Sequence, residues 1–273
     1  MRFRHSMKQL VPWPVRHASR RIKREIGWII NAKRPARDVF NQVYAERRWA
    51  DDGGDFHSGP GSTGRAARQY AECIHSFIIE NRIRSVTDLG CGDFRVASQF
   101  VDESIDYVGV DIVKALIDRN RIQFGASNIR FKCLDIVTDE LPDGELCLMR
   151  EVLQHLSNNQ ILQILNKLDK FRFVIYSDYQ PSRSSTFAPN KDISHGQDTR
   201  IWRDSAVFLE EAPFHRKVEL LLEVPSAQPL RSPGECIRTY LMVNDLGCGD
   251  MDSAHNDADH AVAETASGRD HAR

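Results

Sequence analysis

The chain has 273 residues, with 37 Lys and Arg against 38 Asp and Glu and a net charge of −1 at neutral pH. That length suits one α/β domain with extensions and a sizeable core, and so even a balance gives no global signature of nucleic-acid or membrane binding. No apolar run approaches the roughly 20 residues of a membrane-spanning helix. The basic N-terminus lacks the continuous apolar core and cleavage pattern of a secretory signal. Six cysteines lie scattered without a C-x-x-C pair, which predicts reduced thiols in a cytoplasmic protein rather than a disulfide framework or a zinc site.

Charge is uneven along the chain: residues 1–48 hold 13 Lys and Arg against 3 Asp and Glu. This stretch reads as a basic, partly helical extension. Within 17–30, Ile22, Ile26, Ile29 and Ile30 recur on one helical face with bases on the other. Such a helix either packs on the folded domain with a solvated basic face, which is the expectation here, or lies weakly on an anionic membrane surface. Residues 49–64 are rich in loop formers. Residues 65–83 then place Ala67, Tyr70, Ile74, Phe77 and Ile78 at core-facing helical spacing, with Ser62 or Thr63 as the natural cap. A glycine-rich loop feeding a helix N-terminus presents backbone N–H groups that suit a carboxylate or phosphate.

The apolar run from Ile83 to Leu89 ends in Gly90-Cys91-Gly92, after which Phe94 to Phe100 resumes with helical spacing. That reads as strand, tight turn, helix, with glycines where the backbone must turn sharply and where a ligand can approach closely. Asp111 closes the segment Tyr107–Ile112, and Asp135 closes Ile129–Asp135. Alternating periodicity predicts strands at 84–89, 106–111, 129–135, 145–150, 171–177, 217–224 and 236–243. Helices are expected at 94–101, 113–124 and 157–170, the last capped by Ser157. Residues 179–196 read as loop and 200–211 as partly helical. Residues 49–244 thus form one domain, and 245–273 are expected to be a disordered, acidic, histidine-bearing tail. Asp245–Asp250 repeats the hexapeptide Asp88–Asp93; the chain after it shows no periodicity for a helix and partner strands, so it is read as strand end plus tail.

Asp88-Leu-Gly-Cys-Gly92, Gly109-Val-Asp111, Leu134-Asp135 and Arg150-Glu-Val-Leu-Gln-His-Leu156 together resemble the successive motifs of class I S-adenosylmethionine-dependent methyltransferases, over roughly Trp49 to Asn244. The resemblance implies a Rossmann-like α/β fold: a seven-stranded, mostly parallel sheet whose last strand runs antiparallel, helices on both faces, and the N-terminal helical extension. It implies S-adenosyl-L-methionine as cofactor. Asp88 and the Gly90-Cys91-Gly92 turn would hold its amino-acid portion, Asp111 with Ile112 its ribose, and Asp135 with Ile136 its adenine. Arg150 would line the methyl-transfer site, and Ser58, Gly59 and Ser62 would fold over the methionine end. A dinucleotide fold also wants glycines after a first strand and an acid about 20 residues later. Here, however, Arg95 stands at the third glycine of G-x-G-x-x-G, and Asp88 precedes the first, where a pyrophosphate would sit.

His155 follows the fourth expected strand, near where the methyl group would point. It reads either as a general base working near neutrality or as a structural histidine bonded to backbone. Asp178 and the loop residues Asn190, Asp192 and Arg200 are candidate acceptor contacts; strand-end capping and surface solvation explain the same composition. The loop polarity, with a likeness to bacterial methyltransferases of glycan-related pathways, points to a small-molecule or glycan acceptor, a sugar hydroxyl first and an amine second. No Asn/Asp-Pro-Pro-Tyr-like tetrapeptide follows the fourth strand, so a nucleic-acid acceptor is not expected, although the basic N-terminus speaks weakly for one. The histidines at 255, 260 and 271 are irregularly spaced, and no metal is expected. A reading from another class is a non-catalytic S-adenosylmethionine-binding regulatory or scaffold protein, which would bind the cofactor without turnover.

Overall fold

The computed structural model describes residues 13–49, 56–182, 186–226, 229–230 and 233–244. The expectations for the second Asp-Leu-Gly-Cys-Gly copy and for the tail fall outside the described residues.

Seven strands form one sheet: β1 (Ser85–Leu89), β2 (Asp106–Asp111), β3 (Ile129–Cys133), β4 (Leu146–Arg150), β5 (Phe173–Gln180), β6 (Glu219–Pro225) and β7 (Cys236–Val243). Their spatial order is β3-β2-β1-β4-β5-β7-β6. Every neighbouring pair is parallel except those of β7, which runs antiparallel to both β5 and β6. The sheet is therefore the mostly parallel, seven-stranded one expected, with the last strand reversed.

The pleat sorts side chains into two cores. In β4, Leu146 and Leu148 point to one face and Cys147 and Met149 to the other; in β5, Phe173 and Ile175 separate from Val174 and Tyr176 in the same way. Helix α3 (Gly64–Asn81) covers the first face with Tyr70, Ala71, Ile74 and Ile78, and α4 (Lys114–Phe124) adds Ile117. Helix α5 (Asn158–Leu165) covers the second face with Ile161, Ile164 and Leu165. Strands buried on both faces read as continuous apolar runs, which is why the parallel strands were visible in the sequence.

Three local readings are corrected. No α-helix forms over 94–101. Phe94 sits at φ +63°, Asp93 turns back to accept the Arg95 N–H at 3.2 Å, and only a single 3-10 turn, Ala97–Gln99, follows. A left-handed residue at the start denies the helix a nucleus. The helix expected over 157–170 stops at Leu165, although Ser157 caps it as expected in a reciprocal pair with Gln160. An unexpected helix, α2 (Ala36–Ala45), buries Val39 and Val43 and sets Phe40 against the second core.

Helix α1 (Trp13–Asn31) docks, but by the opposite face to the one expected. Ile22, Ile26, Ile29 and Ile30 are all at least half exposed, whereas Trp28 is buried. The docking groups are polar. Arg24 lies 3.8 Å over the Trp202 ring and 3.0 Å from Asp198, Arg203 pairs with Glu25 and stacks on Trp28 at 4.4 Å, and the Ser194 hydroxyl donates to the Trp28 carbonyl. Cation–π and charge-assisted contacts to the 194–203 loop thus outweigh burial of the isoleucines. Among the described residues no helix is long and apolar enough to cross a membrane.

Candidate active site

Strand numbering runs outward in opposite directions from β1 and β4, which makes the gap between their carboxyl ends the topological switch point where open α/β sheets bind ligands. The chain leaving β1 enters that gap through Gly90 (φ +79°) and Gly92 (φ +55°). The Gly90 and Cys91 N–H groups both donate to the Val110 carbonyl, at 2.7 and 2.9 Å, and tie the turn to β2. A Cβ on Gly90 would lie 2.4 Å from a Val152 methyl, and one on Gly92 would lie 2.4 Å from the Ser58 hydroxyl. Both the backbone angle and the close neighbours therefore require glycine. Ser58 Oγ also accepts the Asp93 N–H at 2.8 Å and lies 3.1 Å from Tyr44 Oη. Helix α2 and the 56–63 loop thereby clamp over the turn. The Ser62 hydroxyl donates to the Gly59 carbonyl at 2.7 Å rather than capping α3; Thr63 is the N-cap residue, without a side-chain cap bond.

Two acids stand at the strand ends. Asp88 is buried and accepts the Tyr107 hydroxyl at 2.7 Å; burial pushes its carboxyl up to about 6 against that hydrogen bond. Asp111 accepts the Gly92 N–H at 3.2 Å and the Val113 N–H at 3.0 Å, and burial raises it to about 6 against these donors. Asp135, less buried, accepts the Val137 N–H at 2.9 Å. Each buried carboxylate favours a ligand that brings a positive charge or hydroxyl donors, because its ionised form is short of solvation.

A cavity of about 840 Å³ runs along this edge of the sheet, large enough for a drug-sized ligand. Its wall includes Asp88, Gly90, Cys91, Gly92, Asp111, Ile112, Asp135, Ile136, Arg150, Ser58, Gly59, Ser62 and His155, so one surface gathers every residue expected to meet cofactor, together with the expected base. On the same wall Arg150 stacks 4.9 Å over the Tyr70 ring and pairs with Glu151 at 2.9 Å, while its Nε and Nη2 are buried without a hydrogen-bond partner. The first turn of α3, Thr63 to Ala66, lines the same wall. Glu151 holds the left-handed conformation (φ +55°), and its carboxylate occupies the space a Cβ on Gly61 would need. Backbone strain at a cavity wall is a common mark of a functional site.

His155 faces the cavity with its Nδ1 3.1 Å from the Gly196 carbonyl. A carbonyl only accepts, so Nδ1 carries the proton and Nε2 the lone pair. Burial lowers the imidazole to about 4, against backbone bonds to Gly196 and Asp198. The ring of Trp49 lies 5.1 Å away.

The four residues expected to contact the acceptor are placed away from the cavity wall. Asn190 is buried and gives its amide to the Phe208 and Ala212 carbonyls while accepting the Phe208 N–H, so it holds the loop together. Asp192 accepts the Asn158 and Ile193 N–H groups at the start of α5. Arg200 is 1% exposed and donates to the Lys191 and Leu153 carbonyls and to Asn158 Oδ1. Asp178 is 1% exposed beneath the cavity wall, with burial and the neighbouring Glu151 holding its carboxyl well above the usual range. None of the four lines the cavity. The far wall is built instead by Trp49, Gln154, Tyr179, Asp198, Thr199 and Trp202, which the sequence reading missed as site residues. The only sequence signal for them is an aromatic or polar residue in a loop adjoining a strand end, and that is too common to single them out.

No family model and no curated protein matches this chain. Among solved structures, it is similar to magnesium protoporphyrin IX methyltransferase from Synechocystis PCC 6803, crystallised with SAM. The two share 14% identity at a TM-score of 0.50, over 78% of this chain and 99% of that one. The N-methyltransferase NodS from Bradyrhizobium japonicum WM9, in complex with S-adenosyl-L-homocysteine, aligns at 12% identity and a TM-score of 0.49, over 74% of this chain and 98% of that one. With the strand order and the reversed β7 described above, the first of these likenesses shows that the chain has the class I methyltransferase fold.

Proposed function

We propose that this chain binds S-adenosyl-L-methionine and transfers its methyl group to a small or polar acceptor, a sugar hydroxyl or an amine. The observation that carries the reading is one cavity at the switch point holding two buried strand-end carboxylates beside a guanidinium with two unpartnered nitrogens. Those groups match the cofactor in kind. Arg150 and the first turn of α3 suit its carboxylate, Asp88 its amino group, and Asp111 its ribose hydroxyls. Asp135 and the Ile136 backbone suit the adenine edge, with Ile112 and Leu134 as apolar walls. Ser58, Gly59 and Ser62 would close over the methionine end.

The bound cofactor would supply an already activated methyl group on a sulfonium, so the protein's work is positioning and exclusion of water. Tyr70, Trp49, Tyr179 and Trp202 keep the cavity partly apolar and hold an acceptor against the cofactor side. His155 is neutral at pH 7 and presents Nε2 as a proton acceptor. With its imidazole at about 4 it is a weak base, effective only once bond formation has made the acceptor proton acidic.

The test is thermal unfolding with S-adenosyl-L-homocysteine, followed by incubation with methyl-labelled cofactor and panels of sugars and amines. Ligand at 100 times its Kd should stabilise by about 2.7 kcal/mol, or roughly 5–10 °C for a domain of this size, and label should appear on one acceptor class. An unchanged melting temperature would overturn the reading. Stabilisation without transfer to any acceptor would turn it toward the non-catalytic alternative.

A further inference from the structure

Among the described residues, the outward face of α1 exposes a cluster of large apolar side chains. Ile22, Ile26, Ile29 and Ile30 are 59, 50, 64 and 53% exposed and form one apolar strip. Exposed isoleucines cost nothing singly, but four on a single helix face mark a contact surface. The strip is flanked by exposed Lys23 and, just beyond the helix, exposed Lys33. The one acid between Ile22 and Lys33 is Glu25, which faces Arg203 on the docked side.

A second cavity of about 320 Å³ lies beside the strip, between α1, α2 and residues 196–198. Lys23, Arg34 and Arg48 line it, against Asp198, which Arg24 already pairs; Arg48 is itself paired with Glu46 at 2.6 Å, which leaves Lys23 and Arg34 as the cations facing the cleft. The Arg34 guanidinium meets the neutral Gln42 amide at 2.8 Å rather than a carboxylate. An apolar strip edged by lysines and adjoined by a basic cleft has the chemistry of a surface that enters the headgroup region of an anionic bilayer.

We propose that α1 docks this protein on an anionic membrane surface, with its isoleucines in the acyl boundary and a lipid phosphate beside Lys23 and Arg34 in the adjoining cleft. The bias of residues 1–48, 13 basic against 3 acidic, supplies the charge complementarity that selects a bilayer over a second copy of the same basic face. The helix is held to the domain by its opposite face, so docking requires no rearrangement. Gln197 and Asp198 belong to both this cleft and the large cavity, so a docked molecule turns that side of the cavity toward the membrane.

The test is co-sedimentation of the full chain with vesicles of phosphatidylcholine alone or with about 30% phosphatidylserine, at low and high salt. The wild type should partition only onto the anionic vesicles and should be released by salt. Lys23→Glu/Lys33→Glu should lower partitioning at least about thirtyfold, each lysine near the surface being worth about fivefold. Ile26→Ser/Ile29→Ser should lower it about tenfold or more. Ile122→Ser, the same change at an 86% exposed isoleucine on α4, should leave it unchanged. These side chains are exposed, so circular dichroism should show folded variants. Absence of partitioning, equal binding to neutral vesicles, or variants that bind like wild type would overturn the proposal. So would a wild-type dimer that ignores vesicles and is dissolved by Ile26→Ser/Ile29→Ser, which would assign the strip to a second copy.

Discussion

The two halves of the sheet meet at the gap between β1 and β4 and differ in how their part of the cavity is made. On the β1–β2–β3 side, the wall consists of residues at strand ends and in the turn directly after them: Asp88, Gly90, Gly92, Asp111 and Asp135. On the β4–β5–β7–β6 side, the wall is assembled from segments far apart in sequence, with Trp49 from the stretch after α2, His155 after β4, Tyr179 from β5 and Trp202 from a long loop. One half is fixed by the strands and their turns; the other depends on how loops and α1–α2 pack. Cofactor recognition should therefore be robust to changes in the loops that follow β4 and β5, and acceptor recognition sensitive to them.

Changes at four residues separate the two halves experimentally. The largest effect is expected at the strand-end half. Asp111→Ala removes the acceptor for two hydroxyls and leaves the Gly92 and Val113 N–H groups without their carboxylate, so cofactor affinity should fall about a hundredfold by titration calorimetry. On the loop side, Arg200→Met strands the Lys191 and Leu153 carbonyls and should cost about 2–3 kcal/mol in a denaturant melt. Its cofactor affinity should stay within about twofold, since Arg200 does not line the cavity.

Asp88→Asn should separate function from stability. Burial raises this carboxyl to about 6 in the folded chain, above its unfolded value of about 3.9. Its ionisation therefore costs stability above pH 6, and the wild type gains stability as pH falls from about 6 to 4, where the folded form holds the extra proton. The neutral amide should raise stability by about 1–3 kcal/mol at pH 8, flatten that pH dependence, and weaken cofactor binding about tenfold. Unchanged stability at pH 8 would count against the burial argument. The smallest effect concerns His155. With its imidazole at about 4, Nε2 is already free of its proton throughout pH 5.5–8, so the transfer rate at saturating cofactor should show no inflection near 6.5 that depends on His155. An inflection there that disappears in His155→Gln would mean the ring is better solvated than its surroundings indicate.

The same contrast explains what was legible in the sequence. Strand positions, the sheet's parallel character and the glycine turn could be read because apolar runs and positive-φ glycines carry their structural reason locally. Phe94 escaped because its left-handed backbone leaves no mark on residue type, and the helical spacing beyond it invited the wrong element. Helix α2 escaped although Pro35 precedes it and Val39 and Val43 stand at i, i+4, because ten residues between basic stretches carry little periodic signal. The face of α1 was misassigned because periodicity locates an apolar stripe without saying whether the domain covers it; here Trp28, Arg24 and Glu25 took that role. Asn190, Asp192 and Arg200 looked like a polar acceptor loop because residue type does not distinguish a side chain facing a ligand from one binding its own backbone.

Calorimetric titration of the purified chain with S-adenosyl-L-methionine, S-adenosyl-L-homocysteine and NAD decides which cofactor the β1 turn holds. Micromolar binding of the first two and none of NAD is the expected result, since a buried acid before the first glycine repels a pyrophosphate and attracts an ammonium group. Binding of NAD alone would assign the β1 turn to a dinucleotide and exclude S-adenosyl-L-methionine as its ligand.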